Sequence, residues 1–395
     1  MNKINEIQRD RNYGIDLLRV VAMFYVVILH CLGHGGILNN VIPNSIQYNF
    51  SWLLEIFVYG AVNIFALISG YVLYTEENKK IKISNYINLW CQVVFYGILI
   101  TAMFDIIMPN KVTIQDYLKN IFPVINNIWW YFTAYTGLFV FIPLINNAIR
   151  NYSKLATRKI FILLILIFSF YNLIPNIFGL SEGYSVIWII ILYILGAIIK
   201  KCNIGKQLKW YNAVIIIILM GLITYFYTMF GKEFKIFEIK VKRDLLISYT
   251  SPTILISAIM YLILFSKMKF NKTIEKIIKF AASSSFAIYI INDNPMIRNN
   301  WIINRFANLT MGSTKEIYLY VIAFSFLFVI ISILIDKIRI FIFKLIHVND
   351  LSILAEKFIE KILNNICSYD RKNLWIYDIY SEEERYSKQI EKDKV

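Results

Sequence analysis

Arg19 and His30 are the two side chains of this sequence whose types and spacing could do chemistry together. They lie in RVVAMFYVVILHCLGHGG, residues 19–36, a stretch otherwise apolar enough to cross a bilayer. On an α-helix, eleven residues at about 100° each bring His30 to within about 20° of Arg19, and about 16 Å further along the axis. Both then face one lumen, with a permanent cation at one mouth and a titratable base at the other. An imidazole with a pKa near about 6.5 can accept a hydroxyl proton at neutral pH, which no other side chain on this helix does as readily.

Each residue also has a plainer reading. An arginine at mid-membrane costs about 2.5–3.5 kcal/mol on insertion scales, so it faces a protein interior or water. Arg19 sits about one turn inside the helix end, where snorkelling relieves part of that cost and the residue need only set topology. Asp16, three residues earlier on the same face, is its expected ion-pair partner. His30 read alone is an ordinary interfacial histidine. His30 and His34 have the i,i+4 spacing of a helical zinc pair, but a closed site needs more ligands. The third histidine, His347, lies in the C-terminal tail, so no metal site is expected.

The rest of the chain must position these residues. Of 395 residues, 58% are hydrophobic and 17% charged, whereas soluble domains usually carry about 25% charge. Runs of about 20 apolar residues recur at roughly 15–32, 52–74, 86–107, 129–148, 160–178, 185–199, 212–230, 247–266, 280–294 and 316–335. The expected fold is an all-α integral membrane protein of about ten transmembrane helices around a central pore. Asn12 or Asp16 starts the first helix, Gly33 follows its end, and Pro252 suits the first position of the eighth.

The net charge of +15 reflects loop lysines and arginines rather than nucleic-acid binding, since no basic motif of a nucleic-acid reader appears. Alternating sides from the N-terminus, 19 basic residues fall on one side and 10 on the other. The richer side is cytoplasmic, which places both termini there. The loop 231–246 carries five of the ten opposing positives; it either has an external role near an anionic glycan or marks a miscounted span. Residues 1–14 read as a cytoplasmic N-terminus leading into a retained signal-anchor. Residues 15–335 form the polytopic domain and 336–395 a cytoplasmic tail. Within that tail IDKIRIFIFKLIHV suits a membrane surface, LSILAEKFIEKILNNI is amphipathic, and the charged end SEEERYSKQIEKDKV lacks order. Cys31, Cys91, Cys202 and Cys367 have no pairing or metal spacing.

Five blocks carry a resemblance. GIDLLRVVAMFYVVILH resembles the first-helix signature of the membrane-bound acyltransferase 3 family, in which an arginine, ten residues and a histidine recur. NIFALISGYVLY (63–74) resembles its second helix through Ser69, Gly70 and Tyr71, and NIWWYFTAYTGLFVFIPLI (127–145) its Trp-rich fourth helix ending in Pro143. YTSPTILISAIMYLILF (249–265) and SSSFAIYIINDNP (283–295) resemble later blocks. Members often carry a histidine where this chain has Asn292, which puts the weight of base catalysis on His30.

The resemblance implies transfer of an acyl group, generally acetyl, from cytoplasmic acyl-CoA to a sugar hydroxyl of an envelope or surface glycan at the plasma membrane. Acyl-CoA and the glycan are then substrates, the lipid bilayer is the surrounding partner, and no tightly bound cofactor is expected. Arg11, Asp16 and Arg19 fall to the donor site, where a guanidinium grips phosphate through two parallel hydrogen bonds. His30 becomes the general base or the acyl carrier. Ser69, Tyr71 and Trp130 join as donor- or substrate-binding residues, beside the plainer readings of close helix packing for Ser69 and Gly70 and interface anchoring for Trp129 and Trp130. Asn63 is a further candidate. Glu55 and Asp105, near outer span ends, read as water-exposed carboxylates. The rival classes are a polytopic transporter or flippase for an envelope precursor, against which no inverted repeat appears, and a membrane scaffold, which leaves Arg19 and His30 unexplained.

Overall fold

A computed structural model describes residues 11–77, 82–173, 178–231, 234–236, 239–241 and 244–373. The expected charged end, 381–395, and the extreme N-terminus lie outside the described residues. The order is α1 (Tyr13–Leu32), α2 (Ile37–Asn40), α3 (Ile46–Val58), α4 (Ala61–Leu73), α5 (Ile83–Ile107), α6 (Ile114–Ile121), α7 (Trp130–Asn151), α8 (Lys154–Ile165), α9 (Val186–Cys202) and α10 (Trp210–Phe230). A short antiparallel hairpin, β1 (Phe234–Ile236) and β2 (Ile239–Val241), follows in the loop that the charge count singled out. Then come α11 (Pro252–Ser266), α12 (Lys272–Ala282), α13 (Ser285–Asn292), α14 (Pro295–Ile297), α15 (Thr314–Leu345) and α16 (Val348–Asn373).

Among the described residues, seven helical segments are long and apolar enough to cross a membrane: Tyr13–Asn40, Ile46–Leu73, Ile83–Ile107, Trp130–Asn151, Lys154–Leu173, Trp210–Phe230 and Thr314–Leu345. The three other expected spans are helical but short, at 17 residues for α9, 15 for α11 and 8 for α13. Their surroundings explain the difference. Most residues of α9 and α11 are buried, and nearly all of α13. A helix enclosed by other helices need not match the hydrocarbon thickness that a lipid-facing one must. The long helices α10 and α15 instead leave Ile215, Leu219, Ile223 and Phe226, and Leu319, Ile322, Phe326 and Ile330, outward-facing at helical spacing.

The chain divides into two compact units, Met1–Ile81 with Trp90–Ile342, and Lys82–Leu89 with Phe343–Val395. The first unit is organised on α1, which packs against α3, α4, α11, α12 and α13. Asn12 is the cap expected for α1: its side-chain oxygen accepts from the Ile15 amide at 3.1 Å, and its amide nitrogen donates to the Ser266 carbonyl at 2.8 Å. Gly33 ends the helix, and Pro252 opens α11 behind Ser251, as the sequence predicts. Pro143 does not end its helix; α7 runs on to Asn151. The last carbonyls of α7 are gathered by Lys201, whose buried ammonium donates to those of Ile149, Arg150 and Tyr152. In α15, Asp336 is fully enclosed and accepts from Tyr96 Oη at 2.8 Å and Arg339 Nε at 2.9 Å.

In the second unit, α16 includes the amphipathic segment read from the sequence. Its Glu356 accepts from the Ile83 amide, and Ser352 donates to Asn88 Oδ1 at 3.2 Å. Most of the segment IDKIRIFIFKLIHV, 335–348, continues α15, which runs without a break to Leu345.

Close approach of backbones joins the helices of the first unit. A Cβ on Gly70 would lie 1.9 Å from the Tyr193 carbonyl oxygen, and one on Gly196 would lie 2.0 Å from that of Leu67. These two glycines let α4 and α9 touch along their main chains, as small residues do between membrane helices. Gly70→Ala is therefore expected to cost at least about 1–3 kcal/mol through overpacking. The measurement is thermal unfolding in detergent; Ala22→Gly in α1 serves as a control that opens space instead of filling it.

The charge asymmetry yields a second test. In a cysteine-free background, an impermeant thiol reagent on whole cells should modify Ile125→Cys and spare Gln207→Cys, both at exposed positions. The reverse labelling would invert the expected topology.

Candidate functional site

His30 sits in the last turn of α1 and lines a cavity of about 680 Å³. On α1 the lining residues are Met23, Val26, Leu29, His30, Gly33 and His34, and the opposite wall brings Glu55, Tyr59, Trp130, Tyr131, Tyr184 and Tyr249. The cavity is open where His34, Asn39 and Asn304 are exposed, and it closes inward at buried Met23. The loop after α14 forms part of its rim. The Asn304 amide donates to the His34 carbonyl at 3.0 Å and the Phe306 amide to that of Gly35 at 2.9 Å.

The imidazole is held by Asn292, the last residue of α13, which is 0% exposed. His30 Nδ1–H donates to Asn292 Oδ1. That assignment leaves Nε2 as the nitrogen with a free lone pair, on the side of the ring away from Asn292. The Asn292 Nδ2 group is buried without a partner among the described residues, so the amide's place is set by the histidine rather than by its own full satisfaction. The sequence showed only that Asn292 cannot titrate; the structure shows that it orients the residue that can.

The other end of α1 carries a separate polar cluster. Asp16 is buried and accepts from both Arg11 Nε and Arg19 Nη1, the latter at 3.3 Å, so the expected Asp16–Arg19 pair is present and Arg11 completes it. Arg19, Met23, Val26 and His30 follow one stripe of α1, but the cavity lining ends at Met23 and does not include Arg19. The structure thus sets the two residues on one helix face without joining them through the cavity.

The remaining candidates divide. Trp130 is in the cavity wall, its ring 4.6 Å from that of Tyr184 and nearly parallel to that of Tyr249 at 6.4 Å. Ser69 donates to the Phe65 carbonyl of its own helix at 3.2 Å, and Tyr71 lies under the Lys200 ammonium at 5.7 Å; neither lines the cavity. Asn63 is a structural tie, donating to the Tyr249 carbonyl at 2.7 Å and accepting from Trp188 Nε1 at 3.0 Å.

Two readings are corrected, and one pair is new. Trp129 is not an interface anchor: it is 0% exposed, and its Nε1 donates to the Ile290 carbonyl at 3.0 Å, two residues before the Asn292 that holds His30. Glu55 is not water-exposed: it is 7% exposed and lines the cavity. Asp293 and Arg298, which sequence reasoning passed over, pair in the cavity wall at 2.9 Å. Asp105 is exposed as expected and accepts from Tyr117 Oη at 3.1 Å. Among the described residues no group of three or more His, Cys, Asp and Glu could hold a metal ion.

A family model described as an acyltransferase domain, acyltransferase 3, matches residues 12–337. The chain belongs to that family. The match spans α1 to the middle of α15 and therefore contains both the ion-pair cluster and the His30 cavity. Membership supplies the activity class, acyl transfer by a membrane protein. No curated protein and no solved structure matches the chain.

If Asn292 holds the histidine, Asn292→Leu should lower turnover by roughly ten- to a hundredfold, the effect of losing one hydrogen bond to a group that becomes charged. Acyl-donor KM should stay near that of the parent. Asn292→His should restore part of the loss, since it can again partner Nδ1. Steady-state kinetics on the purified variants provides the check.

Proposed function

We propose that the protein transfers an acetyl or similar acyl group from acyl-CoA, on the cytoplasmic side of the plasma membrane, to a hydroxyl of an envelope glycan bound in the His30 cavity. The observation that carries this reading is the His30–Asn292 hydrogen bond at the cavity wall, which commits Nδ1 and leaves Nε2 free. A base so oriented, reached from an open chamber lined by aromatic rings, suits a sugar hydroxyl. Family membership adds the acyl chemistry.

In the transfer step, His30 Nε2 takes the acceptor O–H proton as the oxygen attacks the thioester carbonyl. The tetrahedral centre then collapses, the C–S bond breaks, and the CoA sulfur leaves with the proton returned from the imidazolium. The products are an O-acyl sugar and CoA thiol. Asn292 Oδ1 accepts from Nδ1–H throughout and favours the transient positive charge on the ring. On the donor side, Arg19 and Arg11 suit the phosphates of CoA, with Asp16 holding both guanidinium groups in place until the anion arrives. The CoA headgroup is polyanionic and stays on its own side. Its thin pantetheine arm would thread past Met23, four residues and about 6 Å along the helix from Arg19, so that the interior acts as a central pore for the arm alone. Both termini belong to the cytoplasmic side in this arrangement.

The test is acetyl transfer from radiolabelled acetyl-CoA by the purified full-length protein. His30→Ala should reduce transfer by at least about a hundredfold while acyl-CoA binding stays close to normal. His34→Ala, one turn further out, should be much milder. Arg19→Ala should weaken acyl-CoA binding by about ten- to a hundredfold, and Arg19→Lys, which keeps charge but loses the fork, should weaken it less. Full transfer by His30→Ala would exclude the mechanism, and undiminished donor binding by Arg19→Ala would exclude the donor site.

A further inference from the structure

Glu55 is the carboxylate in the cavity that the transfer step leaves unused. It lies in the last turn of α3, lines the same cavity as His30, and its Oε2 is buried with no hydrogen-bond partner among the described residues. No cation among the described residues pairs with it. The cavity's guanidinium, Arg298, is already bound to Asp293 at 2.9 Å. The rings of His30 and His34 lie 5.0 Å apart, tilted to each other, with Nδ1 of His30 committed to Asn292. The wall therefore carries one carboxyl group whose charge, once ionised, nothing among the described residues balances. Holding an ion in such a place is expensive unless a counter-charge or several donors arrive with the ligand.

The rings around it favour a cation. Tyr59 is one helical turn beyond Glu55, and its ring lies 4.9 Å from that of Tyr249, which in turn lies 5.1 Å from Tyr184. With Trp130 these rings form a continuous aromatic wall in the cavity. Ring faces carry negative potential, so a wall of them beside a carboxylate attracts a cation and repels an anion.

We propose that the acceptor is a sugar bearing a free, protonated amine, which Glu55 receives while a hydroxyl of the same saccharide meets His30. The inference rests on the acyl-transfer reading of the cavity and names the acceptor's chemical class. It also accounts for selectivity. An ammonium held by a carboxylate has no lone pair, so it cannot attack the thioester, and the acyl group goes to oxygen although a free amine is the stronger nucleophile.

The experiment uses the full-length protein in detergent and two probes, a glucosamine disaccharide and its fully N-acetylated counterpart, with binding followed by calorimetry. The parent protein should bind the amine-bearing probe about tenfold or more tightly than the acetylated one. Glu55→Gln, which keeps the shape and removes the charge, should abolish that preference, and Glu55→Asp should retain part of it. Equal binding of the two probes by the parent, or a preference that survives in Glu55→Gln, would overturn the proposal. Transfer assays keep the two readings apart. Acetyl-CoA turnover with the acetylated sugar, unaffected by Glu55→Gln, would leave the transfer reading standing and sink the amine. Glu55-dependent amine binding with no acetyl-CoA turnover on either probe would sink the transfer reading.

Discussion

A polar group placed in hydrocarbon must find its partner inside the protein, and most of the helix arrangement follows from where those partners are. Asp16 draws Arg11 and Arg19 together at the start of α1. Asn63 ties α4 both to Trp188 of α9 and to the backbone ahead of α11, and Tyr193 donates to Asn146 to bind α9 to α7. Asp336 collects groups from α5 and α15. Each bond would be worth little at a water-exposed surface, where solvent competes for both partners. Where the pair is buried, as at Asn63, Asn146 and Asp336, leaving either partner alone is the costly alternative.

His30 and Asn292 obey the same rule with a different outcome. The amide satisfies one ring nitrogen and thereby defines the state of the other, so a bond that holds α1 to α13 also determines which atom can accept a proton. Trp129 secures the same region of α13 from the other side through the Ile290 carbonyl. Glu55 departs from the rule, and the exception is informative: a carboxylate that the fold does not satisfy, in a chamber open at one end, is one that a visitor can satisfy.

Much of this was legible in the sequence where the signal is local. The cap at Asn12, the stop at Gly33, the start at Pro252 and the Asp16–Arg19 pair depend on residues within one or two turns of each other, and each is where the spacing puts it. The features that were not legible are those decided by neighbours distant in the chain. Glu55 and Asp105 look alike at the ends of apolar runs, yet one is enclosed by Trp130, Tyr184 and Tyr249 and the other faces out. Asp293 and Arg298 straddle the break at Pro295, so helical spacing could not show them as a pair. Arg19 and His30 do share a stripe of α1, but a stripe cannot say how far along it a cavity extends. Among the described residues, counting apolar runs found every long apolar helix and also three short ones, because hydropathy does not distinguish a helix wrapped by lipid from one wrapped by protein.

Those short helices have a consequence for how the protein lives in its bilayer. Lipid-facing helices must tilt, bend or deform the membrane when its thickness changes, at a cost of fractions of a kcal/mol per Å. The helices α9, α11 and α13 are sheathed by protein, and α13 carries the residue that holds His30. Hydrophobic mismatch therefore falls on the outer helices and is absorbed there. A cell that remodels its lipid tails with temperature or growth phase can do so while the pairing of His30 with Asn292 stays the same.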